Sequence, residues 1–303
     1  MKRMMTVLGL GVFSLGLGAC SHGMPTKPYN QDATSVIRST ATDARESTSA
    51  FDTADVHALV NVFTAAGDIR STVADYQQAL GNLNPNAPGS LAGGRREINW
   101  DAVPALFTNT DTFPADFFNQ PVVGRARGAV FSTPGTGFRV SDDNFADLDS
   151  RFGQQFNFFS PVRTFAAVGS ADMAVEFFVP GSNQAAVSTG FGVVFSDVDR
   201  EGSAAIRVFD ANGRNLGRFL APPSPGGLSF VGVTFPNAVV ARVEIESGQA
   251  AVAIGAVDVS DRDGAPARDL VIMDDFIYGE PHAASAATRP GSLFGAARAQ
   301  AVR

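Results

Sequence analysis

Three histidines, His22, His57 and His282, and one cysteine, Cys20, are all the imidazole and thiol the chain has, and none lies within 91–280. A Ser-His-Asp or Cys-His hydrolase needs an imidazole beside its nucleophile, and His- or Cys-ligated zinc needs those donors. Lys is absent from the same stretch. Neither a Schiff-base amine nor the lysine of a phosphate-binding loop can be built there, so Gly135-Thr136-Gly137 reads as a turn. Oxygen donors remain: Asp142 and Asp143, Asp197 and Asp199, Asp210 and Asn212, Asp258, Asp261 and Asp263, and Asp274 and Asp275, all near the ends of predicted strands. Calcium takes about six to eight oxygens and needs neither His nor Cys. The metal set singled out is Asp197, Asp199, Asp274 and Asp275, with calcium as the cofactor. Turn chemistry is the competing account of each residue, because Asp and Asn bond their own backbone in tight bends and no stretch has full EF-hand spacing.

Two further groups of polar residues invite chemistry. Asp274 and Asp275 interrupt the apolar run Val271 to Tyr278. In a regular strand they point to opposite faces, so at least one approaches the core and must find a cation, an Arg or backbone donors. The second group surrounds the only Trp, in Arg95-Arg96-Glu97-Ile98-Asn99-Trp100-Asp101. Arg95, Glu97, Trp100 and Asp101 are the candidate ligand-binding residues. The structural alternative pairs the arginines with Glu97 and Asp101 and buries Trp100 between helix and sheet. For an enzyme that uses two carboxylates, the candidates are Glu97, Asp101 and Glu176.

The elements that must position these residues follow from the spacing of apolar side chains. Val56, Leu59, Val60 and Phe63, then Ile69, Val73, Tyr76 and Leu80, recur at steps of three and four. That spacing predicts two short helices or one kinked helix within 51–90, interrupted at Gly67 and stopped at Gly81. Beyond Pro88 the step becomes two, with turns marked by Gly, Pro, Asn and Asp. Strands are predicted at Met173 to Val179, Phe191 to Phe195, Ile206 to Val208, Leu216 to Leu220, Leu228 to Phe235, Val239 to Glu246, Ala250 to Val259 and Leu270 to Tyr278. Asn212-Gly213 marks a tight hairpin. Val243 and Ile245 face inward while Arg242, Glu244 and Glu246 form a solvated charged face. The expected fold is all-β, an antiparallel sandwich over 91–280 preceded by the helical segment. Residues 20–50, rich in Ser, Thr, Ala and Asp, form a disordered tether, and the Ala-rich stretch 281–303 is a disordered tail.

Charge and the N-terminus bound the setting. The net charge of −7 repels nucleic acid, and no basic cluster offsets it. With one Cys, no disulfide can form within the chain. Of 25 Phe against one Trp and three Tyr, most are suited to an interior and few to a half-wet sugar platform. Residues 1–19 combine Lys2 and Arg3 with an apolar run too short to span a bilayer comfortably, as in a secretory signal. Leu17-Gly18-Ala19-Cys20 resembles the lipobox of bacterial lipoproteins. That resemblance implies acylation of Cys20, palmitate included, and a membrane anchor with no transmembrane helix. Ser21 in place of the Asp that often retains lipoproteins at the inner membrane points to the outer membrane of a Gram-negative envelope.

The sandwich residues carry a second resemblance. Gly190-Phe191-Gly192, Phe195-Ser196-Asp197-Val198-Asp199, Phe209-Asp210-Ala211-Asn212-Gly213, Gly227 to Val233 and the final Asp274-Asp275-Phe276 are similar to lectin-type jelly rolls of exported bacterial proteins. Over roughly Ala171 to Glu280 this implies a jelly-roll sandwich with structural calcium at Asp274 or Asp275. The sorting helix and basic cluster that close many such proteins are missing. The expected function is that of a lipid-anchored envelope protein binding glycan or another envelope component without catalysis. A carboxylate-dependent carbohydrate-active enzyme and a structural or adhesive surface protein are the alternatives.

Overall fold

A computed structural model describes residues 60–260 and 267–284. The signal peptide, Cys20, the tether, Asp261, Asp263 and the tail beyond Ala284 lie outside the described residues. In chain order the strands are β1 (Asn61–Ala66), β2 (Arg95–Ile98), β3 (Ala129–Ser132), β4 (Gly137–Ser141), β5 (Thr164–Val168), β6 (Asp172–Phe177) and β7 (Ala186–Val187). They continue as β8 (Gly190–Val198), β9 (Ala204–Phe209), β10 (Asn215–Leu220), β11 (Ser224–Thr234), β12 (Arg242–Ser247), β13 (Ile272–Gly279) and β14 (His282–Ala283). The α-helices are α1 (Arg70–Leu80) and the single-turn α2 (Phe152–Gln155).

The chain is all-β and its sheets form a sandwich. One sheet runs β1-β11-β8-β13-β5-β4, with β2 also paired to β13, and the other runs β10-β9-β12-β6-β3. Pairing is antiparallel between all of these strands. Strands β5, β6, β8 and β9 pair with β13, β12, β11 and β10 respectively, alternating between the sheets. This nested return is jelly-roll winding. The interior between the sheets is aromatic: Trp100 stacks on Phe165 at 3.9 Å, Phe113, Phe118, Phe131 and Phe276 pack around it, and Phe191 and Tyr278 continue the cluster beyond Phe276.

Strands β8 and β13 are buried along their whole length, Ser196, Asp197, Asp274 and Asp275 included, because both of their faces are covered. Helix α1 supplies part of that cover, setting Ile69, Val73, Tyr76 and Leu80 against Val194, Phe230 and Ile277. Gly192 and Gly232 make room for it, since a Cβ on either would come within 3.0 Å of the Tyr76 ring. The second sheet alternates instead. In β12, Val243 and Ile245 are buried while Glu244 and Glu246 pair outside with Arg207 at 3.4 and 3.2 Å, the expected charged ladder.

Several expectations are corrected. Residues 61–66 form the strand β1, not helix: Val62, Phe63 and Thr64 suit an edge, and Asn61 to Ala66 pair with Thr234 to Ser229. The helical spacing holds from Ile69 onward, and Gly81 ends α1 at φ 100°. Residues 250–259 form no strand; Ala250, Val252 and Ala256 instead pack in a satellite core with Phe145, Phe152 and Ile272. In the hairpin after β9 only Gly213 has positive φ, and the Asp210 carboxylate accepts the Asn212 and Arg214 amides. His282–Ala283 pair with β7, so order extends slightly past the predicted domain end at Glu280.

Candidate metal centre

Four carboxylates meet where β8 leaves the sheet. Asp197 holds φ 67°, a left-handed conformation that Asp tolerates better than most residues. Opposite it, β11 takes four residue steps, Ser224 to Leu228, against two on β8. The bulge thus made lets the Gly226 amide reach Asp197 Oδ1 at 2.6 Å, while Gln155 Nε2 donates to Oδ2 at 2.6 Å. Asp258 accepts the Leu270 amide on Oδ1 and the Ser260 amide on Oδ2, both at 2.8 Å. Asp269, one residue before Leu270, accepts the Arg200 amide on Oδ2 at 2.8 Å and the Ser203 hydroxyl at 2.5 Å.

One ligand oxygen from each of Asp197, Asp199 and Asp258 lies within 4.8 Å of the other two. Burial, and then the charges of Asp197, Asp258 and Asp269, push the Asp199 carboxyl up to about 7. Asp197 is raised as well, by burial first. Among the described residues none of the four forms an ion pair. Two oxygens, Asp199 Oδ1 and Asp269 Oδ1, are buried without a hydrogen-bond partner. Buried carboxylates demand a compensating charge or donor. A cation bound among the three ligand oxygens would supply that charge, so Asp197, Asp199 and Asp258 can hold a metal ion.

Asp274 and Asp275 are not part of this group. Between Met273 and Phe276, β13 carries one residue more than β8, and Met273 and Phe276 both enter the central core. The bulge cancels the alternation and brings both carboxylates to Ser160. Its hydroxyl lies 2.6 Å from Asp275 Oδ1 and 3.2 Å from Asp274 Oδ1, and the Phe159 amide donates to Asp274 Oδ2 at 2.7 Å. Burial pushes Asp275 up to about 6 against the bond from Ser160, with Glu97 and Asp101 adding to the rise; Asp274 is raised further, by burial and then by Asp275. The expectation of opposite faces is thereby corrected.

The candidate ligand residues divide. Arg95 Nε bonds Glu97 Oε1 at 2.7 Å, and Gln77 Nε2 reaches the same oxygen at 2.8 Å. Asp101 accepts the Arg163 amide at 3.2 Å and is raised by burial. Trp100 is 1 % exposed and donates Nε1–H to the Asp274 carbonyl at 2.8 Å. Its ring belongs to the sandwich interior, in a different cluster from the α1 residues, which corrects a position between helix and sandwich. Arg96 pairs with Glu280 rather than with Glu97 or Asp101. Glu176 lies on β6 in the other sheet, paired across to Arg242 and Val130.

Asp258 stood among the acidic bends in the sequence but outside the metal set, and Asp269 had no signal beyond preceding an apolar strand. Turn chemistry accounts for Asp210, whereas Asp142 accepts bonds from the side chains of Thr108 and Asn109, more than thirty positions earlier. The molecule is therefore a jelly-roll sandwich with an acidic, metal-competent cluster at one end of its central strand. No protein-family model matches the chain, and no curated protein or solved structure matches it either.

Proposed function

We propose that this chain is a calcium-stabilised binding module of the cell envelope, anchored through an acylated Cys20, that recognises glycan or another envelope component without catalysis. The observation that carries the reading is the cluster of Asp197, Asp199 and Asp258 beside Asp269, four carboxylates that among the described residues have no ion-pair partner and leave two oxygens without a hydrogen bond. An all-oxygen donor set selects a hard cation, and calcium oxygens at about 2.4 Å from the ion stand up to about 4.8 Å apart. Three of the four carboxylates are buried, which suits an ion that holds the 224–227, 198–200 and 258–260 segments together. Among the described residues no helix is long and apolar enough to cross a membrane, and attachment through lipid needs none.

A second reading, a carboxylate-dependent carbohydrate-active enzyme, is favoured by one observation. Burial, with Glu97 and Asp101 adding to it, raises Asp275 to about 6, toward the pH at which a carboxyl works as an acid. One experiment separates the readings. Full-length protein in detergent is melted with calcium or with chelator, then applied to a panel of glycans and envelope polymers. Calcium at about a hundredfold over Kd adds about 2.7 kcal/mol, roughly 5–10 °C in Tm, and Asp258→Asn removes that shift. An unchanged transition excludes the metal. Retention of a polymer without cleavage is the expected result on the panel. Cleavage that Glu97→Gln abolishes while binding persists establishes the enzyme instead.

A further inference from the structure

Beside Trp100 lies a cavity of about 210 Å³, walled by Trp100, Pro104, Phe117, Phe118, Arg125 and Arg127. It is separate from the metal cluster, none of whose carboxylates lines it. Arg127 is 7 % exposed and lies over the Phe118 ring at 4.8 Å. Its Nε and Nη1 bond the Gly124 and Glu97 carbonyls at 3.3 and 2.6 Å, and among the described residues Nη2 has no partner. Arg125 stacks over Phe117 at 4.1 Å and has no ion-pair partner among the described residues. The carboxylate whose charge bears on Arg127, that of Glu97, is committed to Arg95 and Gln77. In a chain of net charge −7, two arginines thus line one small space that no carboxylate among the described residues lines.

We propose that this cavity binds a small carboxylate carried on an aromatic ring or a body of similar size. The Arg125 guanidinium, which makes no side-chain hydrogen bond among the described residues, offers a fork that matches the two oxygens of a carboxylate, and Arg127 adds Nη2 beside it. The aromatic walls suit an apolar body, and Val123 at the cavity edge is 81 % exposed, giving a greasy lip beside the charges. An apolar cavity of about 150 Å³ accepts benzene, so the volume here admits one ring with its acidic group. The site stands independently of the calcium reading, since it shares no residue with the metal cluster.

Trp100 is the only Trp in the chain, so its fluorescence reports on this cavity directly. Full-length protein is titrated with benzoate and with benzamide, its uncharged analogue, and radiolabelled benzoate is followed in parallel by equilibrium dialysis in case the fluorophore is silent. The expected result is saturable benzoate binding that is at least about tenfold weaker for benzamide, the loss of one charge-assisted bond. Arg125→Gln, at a half-buried position outside the bonded core, weakens benzoate by a similar factor while leaving Tm near that of the wild type. Equal response to the two probes, no binding by either method up to about 10 mM, or wild-type affinity in Arg125→Gln overturns the proposal.

Discussion

Asp275 is held by two opposed demands: burial favours its neutral form, while the Ser160 hydroxyl at 2.6 Å favours the charged one. Burial wins, and the carboxyl is pushed up to about 6. Its unfolded value is lower, so between roughly pH 4 and pH 6 the folded chain binds the extra proton and stability falls as pH rises. The loss is of order 2–3 kcal/mol at neutral pH, taking about 1.4 kcal/mol for each unit. Urea unfolding at pH 4.5 and pH 7.5 should show it. Asp275→Asn flattens that dependence and is more stable than the wild type at pH 7.5, where an equal or steeper slope in the variant would refute the assignment. The logic of Asp199 differs, because a bound cation would reverse the cost of its charge.

At the scale of elements, α1 and the sheet beneath it fit through an absence of side chains. At Gly192 a Cβ would lie 2.7 Å from Tyr76 Cε1 and 2.9 Å from Phe230 Cζ. Both rings are buried in packed surroundings and cannot step aside. Gly192→Ala should therefore cost about 1–3 kcal/mol by overpacking, measured by denaturant unfolding, and Tyr76→Leu in the same background should restore part of it. The same elements show what residue spacing can convey. β8 and β13 were legible as strands, from the alternation of Phe191, Val193 and Phe195 and from the apolar residues that flank Asp274 and Asp275. β1 was not, since Val60 and Phe63 stand at a helical step of three, whereas in the extended chain they face opposite ways, Val60 to the central core and Phe63 to Tyr76, and pairing with residues 229–234 decided the matter. Asp197 and Asp199 were legible as acidic bends. Asp269 was not, because the amides it accepts come from Asp199 and Arg200, about seventy positions earlier, and the bulge that turns Asp274 and Asp275 to one side leaves no mark in the alternation.

At the scale of the molecule, a buried ion pair ties the periphery to the end of β13. Arg96 grips Glu280 with Nε and Nη2, each at 2.7 Å, and the two side chains are at most 1 % exposed. The remaining donors of Arg96 go to the carbonyls of Ala126, Ala87 and Gly89. Removing one partner strands the other charge in the interior, so Glu280→Gln should cost about 3–5 kcal/mol, while Arg96→Met with Glu280→Leu costs less than either single change. Thermal melts of Glu280→Gln, Arg96→Met, Glu280→Leu and the double variant test this, and additive losses from the two single changes would count against it.

The pairing of β1 with β11 also governs when the protein can acquire its shape. Asn61 bonds Thr234, a separation of 173 positions, and Tyr76 reaches the Ile277 carbonyl across 201. A polypeptide delivered from its N-terminus must keep β1 and α1 waiting, unpaired and greasy, until almost the last described strand has emerged. Folds dominated by such distant contacts form slowly. Threading through a narrow channel would thus precede assembly rather than compete with it, and a holding factor that shields residues 60–80 in the interval would raise the yield of native protein.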